Sequence, residues 1–377
     1  MTVRIAVVGG GIGGLACALA LNQQNLDVTV FERRPRIEGR GTALGMWPDA
    51  LRALDAIGLG ERVRRTGVAQ QEMRFRRSDG RTLARLDVGR LERRTGDLPV
   101  LISRTALIGL LRDSLPAGLV RTGQPVEPAD VRDLRADYDV VVGADGIGSA
   151  VREACFGAAH RPRYSGYSAW IGMVPSDGEV SQEIFGRGRK FGVTPAEGGL
   201  TNWYAPIRVP RGGLGEDPMT QLRDLFGDWC DPVPSLIERS ADAEILSYPI
   251  RYLAPRLPTF VSGNAVLIGD AAHLMTADLG QGACQALVDG VALGRHLAGS
   301  GDLARALNQY DRERRRPAQR VATAARLLGS FTLRPGLSRL RDLAFGAAGT
   351  LSRHEPRPSR GANTASASVS DSGVRTK

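Results

Sequence analysis

The stretch Arg4–Glu32, RIAVVGGGIGGLACALALNQQNLDVTVFE, alternates two short apolar runs with a glycine-rich turn and a helical pattern. Arg4–Val8 and Val28–Phe31 carry the β-branched and apolar residues that favour buried strands. Between them, leucine and alanine recur at helical spacing over Ile12–Gln24. This order predicts a strand–helix–strand unit, and such units build parallel sheets.

The turn Gly9–Gly14, GGGIGG, matches the pattern G-x-G-x-x-G between a predicted strand and a predicted helix. Gly9 permits the tight turn, Gly11 lets the backbone approach a pyrophosphate, and Gly14 lets the helix pack on the strand. Glu32 ends the second strand, where a carboxylate accepts hydrogen bonds from the hydroxyls of an adenosine ribose. The pattern predicts a dinucleotide site without distinguishing NAD from FAD, and a glycine turn without a ligand is the alternative.

Buried-strand patterns recur at Val100–Ser103, Asp139–Gly143 and Ala265–Ile268, as expected of a parallel sheet that is covered on both faces. Between residues 163 and 260, short alternating segments rich in glycine and proline contain most of the tryptophans and predict antiparallel strands. We therefore predict an α/β fold, α+β overall, in which a discontinuous Rossmann-like domain holds an inserted antiparallel β-sheet domain.

The predicted organisation has four parts. They are a discontinuous dinucleotide-binding domain over 1–70, 96–162 and 258–316; a β-rich substrate domain over 71–95 and 163–257; a C-terminal helical segment over 317–352; and a disordered tail over 353–377. The tail is assigned because serine, alanine, proline and charged residues dominate it and nothing apolar is periodic.

Composition excludes several classes of protein. The chain has 377 residues, of which 42% are hydrophobic and 24% charged, as in globular proteins with a sizeable core. It lacks a run of about 18 apolar residues, so no integral membrane association is expected. The N-terminus does not resemble a secretory signal, and cytoplasmic localisation is the expectation. Four cysteines without a C-x-x-C pair predict neither a metal site nor a disulfide scaffold.

The net charge of +10 comes from dispersed arginines, since Lys190 and Lys377 are the only lysines. We interpret this charge as solvated surface, with attraction of an anionic cofactor or substrate as the second interpretation. Nucleic-acid binding is not predicted, because no aromatic side chains are interleaved with the basic ones.

Two further motifs follow the glycine turn in order. One is Val141–Gly146, VVGADG, continuing to Ser149 and Arg152; the other is Leu267–His273, LIGDAAH, followed by Leu279–Gln285, LGQGACQ. With all three motifs, the chain resembles the group A flavoprotein monooxygenases of the p-hydroxybenzoate hydroxylase type over roughly residues 3–330. Around residues 269–290 it is most similar to urate hydroxylases, salicylate hydroxylases and zeaxanthin epoxidases. The resemblance implies a GR2-type FAD-binding domain.

The resemblance also implies a role for each matching residue. The ADP part of FAD would contact Gly9, Gly11, Gly13, Gly14, Glu32 and Arg33. Arg104 would reach the phosphates or the flavin edge, Asp145 would serve both FAD and NAD(P)H, and the ribityl and pyrophosphate region would contact Gly269 and Asp270. The pyrimidine edge of the flavin would contact Gly280, Gln281, Gly282 and Ala283. A helix N-terminus at that edge stabilises the anionic reduced flavin.

For some of these residues a purely structural role is the alternative. Asp145 or Asp270 would simply cap a helix, Arg104 would pair with a surface carboxylate, and we interpret His273 as a packed core residue. Relatives often carry proline where this chain has Leu274 and Ala277. The loop beside the flavin is therefore expected to be less rigid.

The activity implied by the resemblance is that of a single-component monooxygenase. NADPH or NADH, as a transient co-substrate, would reduce FAD, and O2 would yield a flavin C4a-hydroperoxide that hydroxylates or epoxidises an electron-rich small molecule, aromatic or polyketide-like. The alternatives are an FAD-dependent reductase of the geranylgeranyl reductase type and a non-catalytic flavoprotein redox sensor. The catalytic side chains remain unknown from the sequence, and we expect a monomer or homodimer.

Four aromatic residues of the β-rich domain are candidates for contact with the substrate: Trp170, Phe185, Trp203 and Tyr204. Ordinary sheet core is an equal alternative for each of them.

Overall fold

The computed structural model describes residues 3–39, 41, 43–175 and 180–351, so the tail predicted over 353–377 lies outside the described residues. The strands in the described part are β1 Arg4–Val8, β2 Asp27–Glu32, β3 Ala43–Met46, β4 Val68–Ala69, β5 Glu72–Arg77, β6 Thr82–Asp87, β7 Val100–Ser103, β8 Val120–Thr122, β9 Val140–Gly143, β10 Arg161–Pro175, β11 Gln182–Phe185, β12 Lys190–Ala196, β13 Leu200–Arg208, β14 Leu246–Ala254, β15 Val261–Ser262 and β16 Ala265–Leu267.

The helices of the described residues cover both sides of the first sheet and contact both faces of the second. They are α1 Ile12–Asn22, α2 Pro48–Ala56, α3 Gly60–Thr66, α4 Val88–Thr95, α5 Arg104–Arg112, α6 Val131–Asp137, α7 Ala150–Phe156, α8 Pro218–Phe226, α9 Val233–Arg239, α10 Asp270–His273, α11 Gly282–Leu297, α12 Leu303–Thr332 and α13 Ser338–Leu351, with 3-10 turns at Ala277–Leu279 and Pro335–Leu337.

The first sheet has the order β15-β16-β9-β1-β2-β8 and is parallel except at its β15 edge. Strands β9 and β16 are fully buried and β1 is buried after Arg4, because their side chains are covered on both faces. In register, Val8 lies opposite both Phe31 and Gly143, and Gly143 lies opposite Leu267. All three sequence motifs therefore meet at the carboxyl edge of this sheet, where ligands of open α/β folds bind.

The second sheet has the order β14-β10-β13-β12-β11-β5-β6 and is antiparallel except between β11 and β5. The one parallel pair departs from the predicted all-antiparallel sheet. The hairpin β5–β6 precedes β8, β9, β15 and β16 of the first sheet in the chain, so no hairpin turn joins β5 to β11 and imposes antiparallel pairing. Helices α8 and α9 pack on one face of the second sheet around Trp170, Trp203 and Phe226.

Helix α12 runs without interruption through Pro317, so the predicted segment boundary at 316/317 lies inside one helix. Proline normally breaks a helix, because it lacks an N–H group and its ring clashes with the carbonyl one turn earlier. Here buried residues on both sides of the proline, among them Tyr310, Arg314, Ala318 and Ala325, hold the helix against the first sheet and the loops beside it. Within the described residues, no helix is both long enough and apolar enough to span a membrane.

Candidate functional site

The glycine turn after β1 is packed as the pattern G-x-G-x-x-G requires. Gly9 has φ +109°, and a Cβ atom there would overlap the Ala144 carbonyl. A Cβ atom on Gly14 would overlap the Gly9 carbonyl, whereas one on Gly11 would have no described atom within 4 Å. The turn is thus closed on its protein side and open at Gly11, which leaves space for a ligand at the start of α1.

Glu32 holds this turn from the end of β2. Its carboxylate accepts hydrogen bonds from the backbone N–H of Gly10 at 2.7 Å and of Arg34 at 2.9 Å. Arg33, between these contacts in sequence, is exposed. Each carboxylate oxygen retains acceptor capacity, so Glu32 is oriented by the protein and still able to accept from a ribose hydroxyl.

Helices α1 and α11 cross in close contact through small residues. A Cβ atom on Gly290 would lie 2.9 Å from both the Cys17 nitrogen and the Gly13 oxygen, and one on Gly294 would lie 2.7 Å from the Ala20 Cβ. Residues later in α11 contact residues later in α1, so the two helices are parallel and their N-termini lie side by side. Each N-terminus offers backbone N–H groups without an intrahelical acceptor and the positive end of a dipole.

The N-terminus of α11 carries the residues predicted to face the flavin. Gly280 adopts φ +60°, a left-handed conformation that favours glycine. The Gln281 side chain accepts from the Gln285 side chain at 3.3 Å but caps no backbone N–H of the helix. Gly282 and Ala283 follow in the first turn. The N–H groups of that turn are therefore directed out of the helix beside the opening at Gly11.

Asp270 begins α10 directly after β16 and Gly269, whose φ is +59°. It accepts no hydrogen bond from the described residues. Burial raises the pKa of its carboxyl, and the charges of His273, Arg104 and Arg152 oppose that rise. A half-buried carboxylate without a donor, beside two helix N-termini, is suited to hydroxyl groups of a ligand.

Arg104 is the first residue of α5, and its place is set by Ser103. The Ser103 side chain accepts from the Ala106 N–H at 3.0 Å, and its own N–H donates to the Glu197 carboxylate at 2.9 Å. Burial raises the pKa values of both Asp270 and Tyr248, and the charge of the exposed Arg104 guanidinium nearby opposes that rise. It thus adds positive charge on the side of the opening that faces Asp270.

Asp145 accepts from the Val151 N–H at 3.1 Å, so its carboxylate does help to cap α7, as the structural alternative proposed. Its other oxygen is buried and has no partner among the described residues. Burial raises the pKa of this carboxyl. The orphaned oxygen leaves room for a donor from a ligand. The adjacent loop is fixed by Arg152, which donates to the carbonyl oxygens of Ile147, His160 and Ala271.

The four aromatic substrate candidates divide between the two faces of the second sheet. Trp170 and Trp203 are fully buried against α8 and α9, which is the environment that the sheet-core alternative describes. Tyr204 points to the opposite face, since neighbouring residues of a strand alternate, and Phe185 shares that face through the pairing of β11, β12 and β13. Phe185 is buried beneath Phe75 and Phe345, which leaves Tyr204 as the best placed of the four.

Two buried polar networks beside the site were not found from the sequence. Asp289 accepts from the Gly269 N–H at 3.0 Å, pairs with His273 at 2.5 Å and accepts from Arg314 at 2.7 Å. The second network joins Lys190, Glu183, Asp278, Tyr167 and Tyr204. Its sequence signal was a lone lysine inside a strand of an arginine-rich chain.

The glycine opening, the two helix N-termini and the unsatisfied oxygens of Asp145 and Asp270 together fit a phosphate-bearing, hydroxyl-rich cofactor. Comparison with known proteins agrees. Residues 123–325 match the family described as FAD binding domain, and residues 7–43 match an NAD(P)-binding Rossmann-like domain.

The relatives include the aurachin C monooxygenase/isomerase of Stigmatella aurantiaca, 34% identical over 82% of this chain and 84% of that protein. An FAD-dependent urate hydroxylase of Klebsiella pneumoniae is 31% identical over 83% of this chain and 86% of its own length. The crystal structure of Klebsiella pneumoniae HpxO with FAD and uric acid superposes with a TM-score of 0.83 at 26% identity, covering 92% of this chain and 93% of that one.

These matches confirm the resemblance inferred from the three motifs and the α/β fold predicted with it. Because one family spans more than half of the chain and relatives above 30% identity span most of it, the chain belongs to the FAD-binding-domain family and is an FAD-dependent monooxygenase.

Proposed function

We propose that this protein uses NAD(P)H and O2 to hydroxylate or epoxidise an electron-rich small molecule, aromatic or polyketide-like. The observation that carries the proposal is the convergence of the α1 and α11 N-termini with Asp270 at one edge of the first sheet, opposite the Tyr204 face of the second. Bound FAD would supply oxygen activation after its reduction by the nicotinamide. Relatives named as hydroxylases and monooxygenases support the same reaction class.

The residues of the chain would bind and orient. Glu32 would accept from the ribose, the first turn of α1 would hold the pyrophosphate, and Asp270 would accept from the ribityl hydroxyls. The first turn of α11 would stabilise negative charge at the pyrimidine edge of the flavin, because a helix N-terminus carries a partial positive charge. The substrate would lie between this edge and Tyr204, where the second sheet would exclude water.

The test begins with the purified protein under anaerobic conditions. We expect flavin absorbance near about 450 nm, a property of the cofactor, to bleach on addition of NADH or NADPH and to return with O2. A panel of aromatic and polyketide-like acceptors is then screened for oxygen uptake, with labelled O2 to show that one oxygen atom enters the product. Bleaching and recovery without a labelled product from any acceptor would count against the monooxygenase reaction and favour a reductase or sensor.

Replacing Asp270→Ala tests the cofactor site. We expect FAD affinity to fall by about tenfold or more, equivalent to at least about 1.4 kcal/mol, because the ribityl hydroxyls would lose an oriented acceptor. Isothermal titration of the apoprotein with FAD measures this. Glu238→Gln is the control, since Glu238 forms an exposed pair with Arg223 away from the site. Unchanged FAD affinity in Asp270→Ala would remove Asp270 from the proposed site.

A further inference from the structure

Asp278 lies in the 3-10 turn Ala277–Leu279, immediately before the residues proposed to face the flavin. Its side chain is only 3% exposed. A carboxylate is rarely buried to this degree unless it is paired and hydrogen-bonded. The contacts of Asp278 therefore identify what holds this turn in place.

The partners of Asp278 come from the second sheet. The Tyr167 hydroxyl of β10 donates to one carboxylate oxygen, and the Lys190 ammonium of β12 lies 3.6 Å from the other. Lys190 also donates to Glu183 at 2.9 Å, and Glu183 accepts from the Tyr204 hydroxyl at 2.7 Å. The turn before α11 is thus tied by one side chain to two strands of the substrate-side sheet.

The protonation states keep these contacts intact. Burial raises the pKa values of Tyr167 and Tyr204, and their neighbouring carboxylates raise them further, so both hydroxyls remain donors. Burial alone would lower the pKa of Lys190, but Glu183 and Asp278 outweigh it and keep the ammonium charged.

Helix α12 packs against the hydrogen bond between Asp278 and Tyr167. A Cβ atom on Gly329 would overlap both the Asp278 carboxylate and the Tyr167 hydroxyl. The backbone of α12 therefore closes over this hydrogen bond and excludes water from it. Asp278 is the point at which the turn, the second sheet and the C-terminal helix meet.

We propose that Asp278 is a positioning residue that sets the place of the Gly280–Ala283 backbone N–H groups relative to the substrate-side sheet. It anchors a loop that we expected to be less rigid than in relatives, because Leu274 and Ala277 stand where relatives often have proline. The inference rests on the proposed cofactor position, but the anchoring itself is a property of the apoprotein. It is distinct from cofactor contact, since Tyr167 and Lys190 engage the two carboxylate oxygens of the buried Asp278 side chain.

The test compares the wild type with Asp278→Ala by amide hydrogen exchange of the apoprotein and by FAD titration. We expect exchange at residues 279–284 to accelerate by about tenfold or more, because local opening of the turn becomes easier. FAD affinity should fall several-fold, with the midpoint of thermal unfolding changed much less than the exchange rate. If Asp278→Ala does not fold, Tyr167→Phe removes the same hydrogen bond with less disturbance.

A second substitution tests whether the effect of Asp278→Ala comes from the lost anchor of the turn or from the lost negative charge. Thr276 has φ −69° and ψ 154°, a conformation accepted before proline, and Ala277 is the first residue of the turn, where proline is tolerated. Ala277→Pro in the Asp278→Ala background should therefore restore slow exchange and FAD affinity by rigidifying the loop.

Glu183→Gln is the matched control, because it alters the same cluster on a residue with no contact to the turn. It should leave exchange at residues 279–284 within about twofold of the wild type. Unchanged exchange in Asp278→Ala, or equal acceleration in Glu183→Gln, would overturn the proposal. Failure of the wild type to bind FAD would instead refute the proposed function, while the exchange experiment would still decide the anchoring.

Discussion

Asp289 illustrates how one buried side chain supports the site without reaching it. It lies on α11 and is fully buried, and its two oxygens hold the Gly269 backbone, His273 and Arg314. Burial alone would raise its pKa, but the charge and hydrogen bond of His273 and the charge of Arg314 outweigh burial and lower it. The network therefore fixes the loop from which Asp270 projects.

The lowered pKa predicts a pH dependence for stability. The contribution of Asp289 is complete above the unfolded-state pKa of about 3.9 and is lost as the pH falls through the lower folded-state value. Asp289→Asn should cost about 3–5 kcal/mol at pH 7, because Arg314 loses its buried partner. The stability difference between the two proteins should begin to shrink as the pH falls below about 4 and should vanish only below the folded-state pKa.

Urea unfolding of the apoprotein from pH 7 to pH 3 measures this dependence, with Glu238→Gln as an exposed control. A constant difference between the wild type and Asp289→Asn across the whole range would show that ionisation of Asp289 does not stabilise the fold.

Among contacts between secondary-structure elements, the packing of α1 against α11 is the one that forms the proposed cofactor site. Ala286, Gly290 and Gly294 recur every four residues on α11, one face of a helix. They let the backbones approach closely and bring both N-termini to the same edge. The glycine motif predicts α1, but it does not predict that a second helix, almost 270 residues later, lies parallel to it.

Gly290→Ala tests this crossing. The new Cβ atom would lie 2.9 Å from backbone atoms of Gly13 and Cys17, so the helices must separate. We expect a loss of about 1–3 kcal/mol in the free energy of unfolding, as for other overpacked cores. FAD affinity should fall as well, because one N-terminus moves relative to the other.

Gly109→Ala is the matched control in the interior of α5, where a Cβ atom meets no described neighbour within 4 Å. It should stabilise the protein by up to about 1 kcal/mol, since alanine is the better helix former. Equal effects of the two substitutions would argue against close packing of α1 on α11 as the cause.

At the scale of the whole molecule, the site exists only where two sheets and the C-terminal helix meet. A ligand that binds there should stabilise the folded state as one unit, by about 2.7 kcal/mol at 100 times its dissociation constant. We expect FAD to raise the thermal unfolding midpoint by several degrees, and Asp270→Ala to abolish most of this rise at the same FAD concentration. Scanning calorimetry with and without FAD measures both values.

A rise in Asp270→Ala equal to that of the wild type would mean that FAD stabilises the protein through another site.

The local patterns of the chain determined the strand–turn–helix unit, the three motifs and the family, because each is encoded within about thirty consecutive residues. Gly14 requires little knowledge of the rest of the fold, since a Cβ atom there would overlap the Gly9 carbonyl of the same turn. The close contact of Gly9 is with Ala144, which the fold brings from the end of β9. Strand periodicity likewise identified the β-rich segment, although not the parallel pairing of β5 with β11.

Only the tertiary structure decided which face each strand residue occupies and which buried charges meet. Trp203 and Tyr204 are neighbours in sequence, yet the first packs in the core under α8 and α9 and the second donates to Glu183 on the other face, because the register of β12 and β13 assigns alternate residues to opposite faces. Asp278 and Lys190 are far apart in sequence, and their pairing depends on the packing of two sheets against α12. Such contacts have no signature in the local sequence, since the burial that stabilises them exists only after the chain has folded.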